Sequence, residues 1–483
     1  MRKNLTFFTL ITVAALLGGC IVTKTPLTND VTIPLGAQVT FSVLVFPSTA
    51  TYAWTLDWEP LPNTGRSYVY TAQDGEHFLT VKATHNLGTD TQTWHILTNT
   101  FNKIYGGIYG DYAHAVQQTS DGGYILAGWT NLIWAVYYDA WLIKTGAYGN
   151  KVWDKTFGGS YEDGASAVQQ TSDGGYILAG YNGSFGAGSS DAWLIKTDAH
   201  GNKVWDKTFG GSYEDEAYAV QQTSDGGYLL VGYTDSFGAG KEDAWLIKTD
   251  ASGETCDCSG DGNCYENESK WVKTLGGSGG DYAYSVQQTS DGGYILAGIT
   301  YSFGAGSYDA WLIKTDANGN KVWDTTFGGG DGDYVYAVQQ TSDGGYILAG
   351  RASSFWSVNP DVWLIKSDAN GNKVWDKTFG GSSYDEACAV QQTSDGGYIL
   401  AGYTRSFGAG KSAAWLIKTD ANGNKVWDKT FGGSKNEYAS AVQQTSDGGY
   451  ILAGETTSFG AGGVDFWLIK TDAKGNAPAT PTP

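Results

Sequence analysis

Twelve residues near the middle of the chain, Asp257-Cys-Ser-Gly-Asp-Gly-Asn-Cys-Tyr-Glu-Asn-Glu268, alternate side-chain oxygens around a central glycine. Asp257, Ser259 and Asp261 fall at positions 1, 3 and 5, Gly262 at the sharp turn, and Glu268 at position 12, where a bidentate carboxylate closes a calcium loop. The backbone carbonyl of Asn263 fits position 7, and Tyr265 stands at position 9. Oxygen-only donors suit a hard cation, so calcium is the expected cofactor here. A second reading of the same stretch is a polar hairpin stapled by one disulfide among Cys256, Cys258 and Cys264, with a spare thiol.

Two other residue sets could carry recognition. Ser-Phe-Gly-Ala-Gly recurs five times, and at two corresponding places it becomes Leu132-Ile-Trp-Ala-Val-Tyr-Tyr138 and Ser354-Phe-Trp-Ser-Val-Asn-Pro360. Replacing glycine by Trp134, Tyr137, Tyr138 and Trp356 puts flat apolar faces on loops, as platforms for sugar rings or a partner protein, or as packing against the preceding domain. The second set is a recurring carboxylate: Asp111, Asp163, Asp215, Asp281, Asp333, Asp385 and Glu437. These acids either encircle one mouth of a channel as a negative funnel or each cap their own turn. Three residues on, the position varies as His114, Ser166, Tyr218, Tyr284, Tyr336, Cys388 and Ser440.

The elements that must position these residues are written as a repeat. The segment Ala-Val-Gln-Gln-Thr-Ser-Asp-Gly-Gly-Tyr-Ile-Leu-Ala-Gly, or a close variant, occurs seven times, with its turn aspartate at 121, 173, 225, 291, 343, 395 and 447. One 14-residue insertion, the calcium-loop region, accounts for the single spacing of 66 among spacings of 52. Within a unit, Ala219–Thr223 is short and extended, Ser-Asp-Gly-Gly is a turn, Tyr228–Thr234 is apolar on both faces, and Ala244–Thr249 is a third strand. A fourth strand reads Lys203-Val-Trp-Asp-Lys-Thr-Phe209. Four antiparallel strands per unit, without helical periodicity, predict a propeller blade, and seven units predict seven blades. The last unit lacks a fourth strand, and residues 98–106 match that strand, so they are expected to complete the last blade beside residues 465–472 and seal its edge.

These units resemble the PQQ-like blades of quinoproteins, whose tryptophan-docking motif is approximated by Lys418-Thr-Asp-Ala-Asn-Gly-Asn-Lys-Val-Trp427. The resemblance covers all seven units as blades and implies no PQQ site, since the quinone enzymes of that family use eight blades and a calcium cage not found here. Thr119-Ser-Asp-Gly-Gly-Tyr124 is similar to the Asp-box turn of sialidases, a shared solution for a tight turn. Residues 28–98 alternate as Val39-x-Phe41-x-Val43-x-Val45 and Tyr52-x-Trp54-x-Leu56, with Phe78 and Val81 following. They resemble a PKD-like or immunoglobulin-like β-sandwich acting as a spacer. Residues 1–19 are a basic start and a short apolar run ending in Leu-Gly-Gly-Cys20, which resembles the lipobox of bacterial lipoproteins. That implies a signal peptide, an acylated Cys20 held in the lipid bilayer, a linker over 20–27, and an extracytoplasmic, cell-envelope location. The expected architecture is therefore all-β: a small sandwich at 28–98, a seven-bladed propeller at 99–475 and a Pro-rich tail at 476–483.

Composition narrows function further. The 483 residues include 69 Gly, 31 Tyr, 19 Trp and 18 Phe, with 30 basic against 50 acidic residues and a net charge of −20. Phosphate backbones would repel such a chain, so nucleic acid is excluded as a partner. The propeller region holds only Arg351 and Arg405, too few for a sialidase's arginine grip, and its histidines, His114 and His200, stand in different units. No Ser-His-Asp constellation is visible. The expected function is a non-catalytic, lipid-anchored surface protein whose propeller loops bind a carbohydrate or protein partner. The alternatives are a structural envelope protein without a ligand, or a polysaccharide hydrolase or lyase at the acidic mouth.

Overall fold

The computed structural model describes residues 20–26, 28–33, 38–46, 50–71, 76–85, 88–131, 137–255, 257–258, 264–265, 270–353 and 359–479. The chain divides into two units, residues 1–100 and 101–483.

The first unit holds two sheets around one core. Strands Cys20–Thr25, Gln38–Phe46 and Ser67–Thr71 form one, and Asp30–Ile33, Gly88–Thr98, Glu76–His85, Thr51–Leu56 and Glu59–Leu61 form the other, in those spatial orders. Phe41, Val43, Trp54, Tyr70, Leu79, Val81, Ala83 and Trp94 fill the space between them, with Trp54 and Trp94 stacked at 6.0 Å. Two expectations are corrected here. Residues 20–25, expected as a linker, are a strand whose backbone pairs with residues 42–46 along the edge of the three-stranded sheet. Phe78 does not share the core face with Val81: side chains alternate with a period of two, so Leu79, Val81 and Ala83 point inward, and Phe78 meets Trp58 on the other side.

Among the described residues, the second unit contains seven four-stranded antiparallel sheets, one per sequence repeat, in a propeller-like all-β fold. The first repeat shows the plan: an inner strand Asp111–Gln118, a second Tyr124–Asn131, a third Tyr138–Thr145 and an outer Lys151–Phe157. The second and third strands are buried nearly throughout, as their apolar runs require, while the outer strand alternates with solvent. In the third repeat the insertion delays the outer strand to Trp271–Leu275, which still pairs with Asp243–Thr249. The seventh sheet takes its outer strand from upstream: Phe101–Tyr105 pairs with Asp465–Thr471, with Phe466 opposite Tyr105 and Lys470 opposite Phe101. In five other sheets an indole N–H of the third strand donates to an outer-strand aspartate, as Trp415 does to Asp428; here Trp467 donates to Asn102. The tail is anchored at its start, where Ala477 packs on the last core and the Pro478 carbonyl accepts from Asn102.

Consecutive inner strands touch one another, and the seventh touches the first. Together they wall one cavity of about 300 Å³ with a Val–Gln pair from each, from Val116–Gln117 to Val442–Gln443. Glutamine oxygens stitch this end across neighbours: Gln443 accepts from the Gln118 amide, and Gln170 from the Ser120 amide. Each Ser-Asp-Gly-Gly turn is pinned by its aspartate, which accepts from the Thr two residues earlier, from the Gly two residues later, and from a buried third-strand lysine such as Lys144 or Lys418.

Burial opposes ionisation of these turn aspartates but is outweighed by the hydrogen bonds and the lysine, which hold Asp121 and Asp173 down at about 2 and shift Asp225, Asp291, Asp343, Asp395 and Asp447 the same way. A folded pKa below the unfolded one contributes stability above about pH 4, the unfolded carboxylate value, that is lost as pH falls toward 2. Thermal melts of the full chain are therefore expected to show a steep drop in Tm between about pH 4 and pH 2. A Tm unchanged across that window would contradict this account of the turns.

Candidate functional site

The seven recurring carboxylates are turn caps and not a solvent-facing funnel. Asp111, Asp163, Asp215, Asp281, Asp333, Asp385 and Glu437 are each at most 2% exposed. Each accepts from the amide of the Gly four residues earlier, as Asp215 does from Gly211 at 2.8 Å. Most accept from a second-strand threonine as well, and several from the loop serine, such as Ser236 on Asp215 at 2.7 Å. A buried carboxylate must be hydrogen-bonded this way, and these oxygens are turned to backbone and side-chain donors inside the fold and not to solvent. The third-strand acids cap the Ser-Phe-Gly-Ala-Gly loops likewise: Asp243 accepts from Ala239 at 2.8 Å and Asp309 from Ala305 at 2.9 Å.

At six junctions these two acids sit on either side of one glycine. A Cβ on Gly106 would lie 2.3 Å from Asp465 and 2.6 Å from Asp111; on Gly210, 1.8 Å from Asp191 and 2.8 Å from Asp215. Burial, followed by the neighbouring Asp111 charge, pushes Asp465 up to about 6, and burial with the facing acid raises Asp139 and Asp361 as well. The seventh junction differs. Ala413 replaces the third-strand acid and Glu437 replaces Asp, so the longer side chain reaches Gly432 and fills the vacated place.

The residues that differ between repeats converge elsewhere. Every inner strand carries a β-bulge at the same point: Ala113 opposes Gly128 and Ala115 opposes Ala127, leaving His114 as the extra residue. The same shift leaves out Ser166, Tyr218, Tyr284, Tyr336, Cys388 and Ser440. A bulged residue is free of the ladder and can be re-aimed, which is why bulges gather at functional sites. Beside each one stand two more variable positions: the residue after the capping acid (Tyr112, Gly164, Glu216, Tyr282, Tyr334, Glu386, Tyr438) and its cross-strand partner (Trp129, Tyr181, Tyr233, Ile299, Arg351, Tyr403, Glu455).

These positions form a belt of ring contacts. His114 stacks on Trp129 at 4.0 Å, and Trp129 meets Tyr181 at 6.1 Å. Tyr218, Tyr284 and Tyr336 follow at 5.2 and 5.4 Å, and Tyr403 meets Tyr438 at 4.7 Å. Between them Arg351 lies over Tyr334 at 4.1 Å and pairs with Glu386 at 3.3 Å. Burial lowers His114 to about 4, leaving it neutral with its Nε2 unpartnered, and raises Glu455 to about 7. Burial also raises Glu216, against the hydrogen bond from Tyr218. Sequence reasoning singled out the bulged position but missed the two beside it. The signal was present, since these are the places where near-identical repeats disagree most in residue type.

Of the loop aromatics, Tyr137 is exposed and meets Tyr161 at 5.7 Å, with both lining a cavity of about 470 Å³ alongside Tyr181. Tyr138 begins the third strand and packs edge-on against Tyr112 at 5.9 Å. Trp134 and Trp356 lie outside the described residues. So do Ser259, Asp261, Asn263 and Glu268 of the calcium loop. The two short strands Asp257–Cys258 and Cys264–Tyr265 are described and pair antiparallel, with Cys258 opposite Cys264. Among the described residues no group of three His, Cys, Asp or Glu is arranged to hold a metal.

No protein-family model matches the chain. An alignment over 174 residues, covering 31% of this chain, is 25% identical to the regulatory protein FlaEY of Caulobacter vibrioides, of which it spans 18%. Similar solved structures include a quinoprotein alcohol dehydrogenase-like protein from Bacteroides thetaiotaomicron, at TM-score 0.41 and 10% identity over 86% of this chain and 97% of that one. Another is the polysaccharide lyase Uly1, at TM-score 0.43 and 11% identity over 76% of this chain and 92% of that one. A third is an endo-1,5-alpha-L-arabinanase from Thermotoga petrophila, at TM-score 0.29 and 11% identity over 77% of this chain and all of that one. The activities named belong to those proteins.

The Ala413–Glu437 junction gives a direct test of how the buried acids are packed. Ala413→Asp alone crowds a second carboxylate against Glu437 and is expected to destabilise by about 1–3 kcal/mol. Adding Glu437→Asp restores the arrangement of the other six junctions and is expected to recover most of that loss in a chemical-denaturation double-mutant cycle. Additive losses would show that the two positions do not share one space.

Proposed function

We propose that the seven four-stranded sheets are the blades of a seven-bladed β-propeller, and that residues 28–98 form a PKD- or immunoglobulin-like sandwich spacer. On this reading the chain is a non-catalytic, lipid-anchored protein of the cell envelope, acylated at Cys20. Its variable channel mouth binds a carbohydrate or protein partner. One observation carries the binding reading: repeats that are otherwise nearly copies diverge at three adjacent positions, and those positions assemble a belt of Tyr, Trp and His rings with a few carboxylates. A purely structural ring would have no use for such divergence, because the constant Val–Gln end already ties each inner strand to the next. Aromatic faces with hydrogen-bonding edges suit recognition of sugar rings and of protein side chains alike.

Glycan-array and envelope-extract pulldown binding by the full chain are expected to fall about tenfold or more in Trp129→Ala and Tyr403→Ala, with Tm nearly unchanged. Binding that survives both substitutions would remove the mouth from consideration, and turnover of a polysaccharide by the wild type would overturn the non-catalytic reading. Calcium is proposed for the loop at Asp257–Glu268 on its ligand order alone. A chelator is expected to lower the wild-type Tm and to leave that of Asp261→Ala unmoved; equal responses would reject the site.

A further inference from the structure

The chain contains two versions of one arrangement, one filled and one open. Glu216 and Glu386 stand at the same position of repeats 3 and 6, directly after the capping acid. In the filled version the preceding repeat supplies Arg351. Its guanidinium lies over the Tyr334 ring at 4.1 Å and the Tyr384 ring at 5.0 Å and pairs with Glu386 at 3.3 Å. Tyr384 also donates to Glu386 at 2.7 Å. A planar cation is thus held by aromatic faces and a buried carboxylate, the combination that suits guanidinium better than ammonium.

In the open version Tyr181 stands where Arg351 does, Gly164 where Tyr334 does and Glu214 where Tyr384 does, so the acid is kept and the rings come from Tyr137, Tyr161 and Tyr181 instead. Among the described residues no cation is supplied. Instead a cavity of about 470 Å³ opens, lined by Tyr137, Tyr161, Tyr181, Glu162, Glu214 and Glu216, with Ser and Gly backbone completing the wall. Among the described residues no lysine or arginine lines it. Glu162 and Glu214 are exposed at its rim and Glu216 is half-buried at its base, where burial raises its pKa against the hydrogen bond from Tyr218. Three carboxylates and three phenol rings around a concave volume of this size, in a chain of net charge −20, favour a cation over a neutral or anionic ligand.

We propose that this cavity receives an arginine side chain of a partner protein, reproducing in trans what Arg351 does within the chain. The inference rests on the variable mouth being a binding surface, and it selects a basic protein partner over a neutral glycan. The guanidinium enters between the Tyr137–Tyr161 pair and Tyr181 and pairs with Glu216, while Glu162 and Glu214 steer it in.

The test is isothermal titration calorimetry of the full chain at low salt with Nα-acetyl-arginine amide. The neutral isostere Nα-acetyl-citrulline amide and Nα-acetyl-lysine amide serve as controls. The arginine probe is expected to bind, the citrulline probe not to bind, and the lysine probe to bind more weakly. Glu216→Gln is expected to weaken the arginine probe by about tenfold or more. Tyr181→Arg places the chain's own guanidinium in the cavity, so it is expected to abolish probe binding while the circular dichroism spectrum stays that of the wild type. Equal binding of arginine and citrulline, equal binding of arginine and lysine, or probe binding unchanged in Tyr181→Arg would each overturn the assignment. If no probe binds while a partner's binding remains sensitive to Trp129→Ala, the pocket assignment alone falls. If neither binding is found, the reading of the mouth falls with it.

Discussion

The docking of one outer-strand aromatic ring on the next repeat's hairpin glycine is the contact on which the seven-sheet unit depends. Trp153 lies so close to Gly201 that a Cβ there would stand 2.5 Å from the indole, and Trp375 sits at the same distance from Gly423. Both glycines have positive φ, +75° and +76°, so the turn and the close approach demand the same residue. Each docked ring also meets the following repeat's second-strand tyrosine edge-on, as Trp153 meets Tyr176 at 5.9 Å and Trp427 meets Tyr450 at 5.8 Å. The final link is made by Phe101, which packs on Gly149 and meets Tyr124 at 5.7 Å. Residues upstream of the first repeat thereby supply both the missing fourth strand of the seventh sheet and the ring that docks on the first repeat's hairpin.

Closure sets the chemistry available at the centre. Where inner strands converge, side chains facing the neighbouring sheet must be small, and Ala113, Ala165, Ala217, Ala283, Ala387 and Ala439 are almost wholly buried there. One end of the channel is identical in every repeat, because Gln oxygens must meet neighbouring amides, and one changed glutamine would orphan the backbone N–H it accepts from. The bulge releases the other end from that demand. Its extra residue pairs with nothing, so His, Ser, Tyr and Cys can stand there without breaking the ladder. Constancy and variation are thus two consequences of one strand, divided at the bulge.

Much of this was legible in the sequence. The 52-residue period, the four strands per repeat and the outer strand supplied by residues near 98–106 follow from pattern alone, because each is written several times and copying errors are visible against the rest. The site was less legible for three physical reasons. A bulge changes which face a residue occupies without changing residue type, so the alternation through Ala217-Tyr218-Ala219 conceals that Tyr218 has left the ladder. A repeated acid reads equally as a turn cap and as a rim, and only the Gly211, Thr234 and Ser236 donors around Asp215 decide between them. The strand at Cys20–Thr25 was hidden because a short edge strand has no period of its own, and its partner at Gln38–Phe46 is far along the chain.

The mouth itself shows why so few charges were kept there. A carboxylate taken out of water must be compensated or neutralised, and the belt meets that requirement in three ways. Glu386 is matched by Arg351 and by the Tyr384 hydroxyl. Glu455, with burial its sole cause of shift, is pushed up to about 7, so a large fraction carries a proton near neutral pH. Glu216 has the Tyr218 hydroxyl and a cavity beside it. Pairing within the chain and protonation each satisfy the acid locally and leave nothing to offer outward. Partial satisfaction beside open volume costs stability in the isolated chain, a cost that the proposed guanidinium would offset by completing the arrangement. Of the three acids, Glu216 is therefore the one whose surroundings make structural sense as half of an interaction.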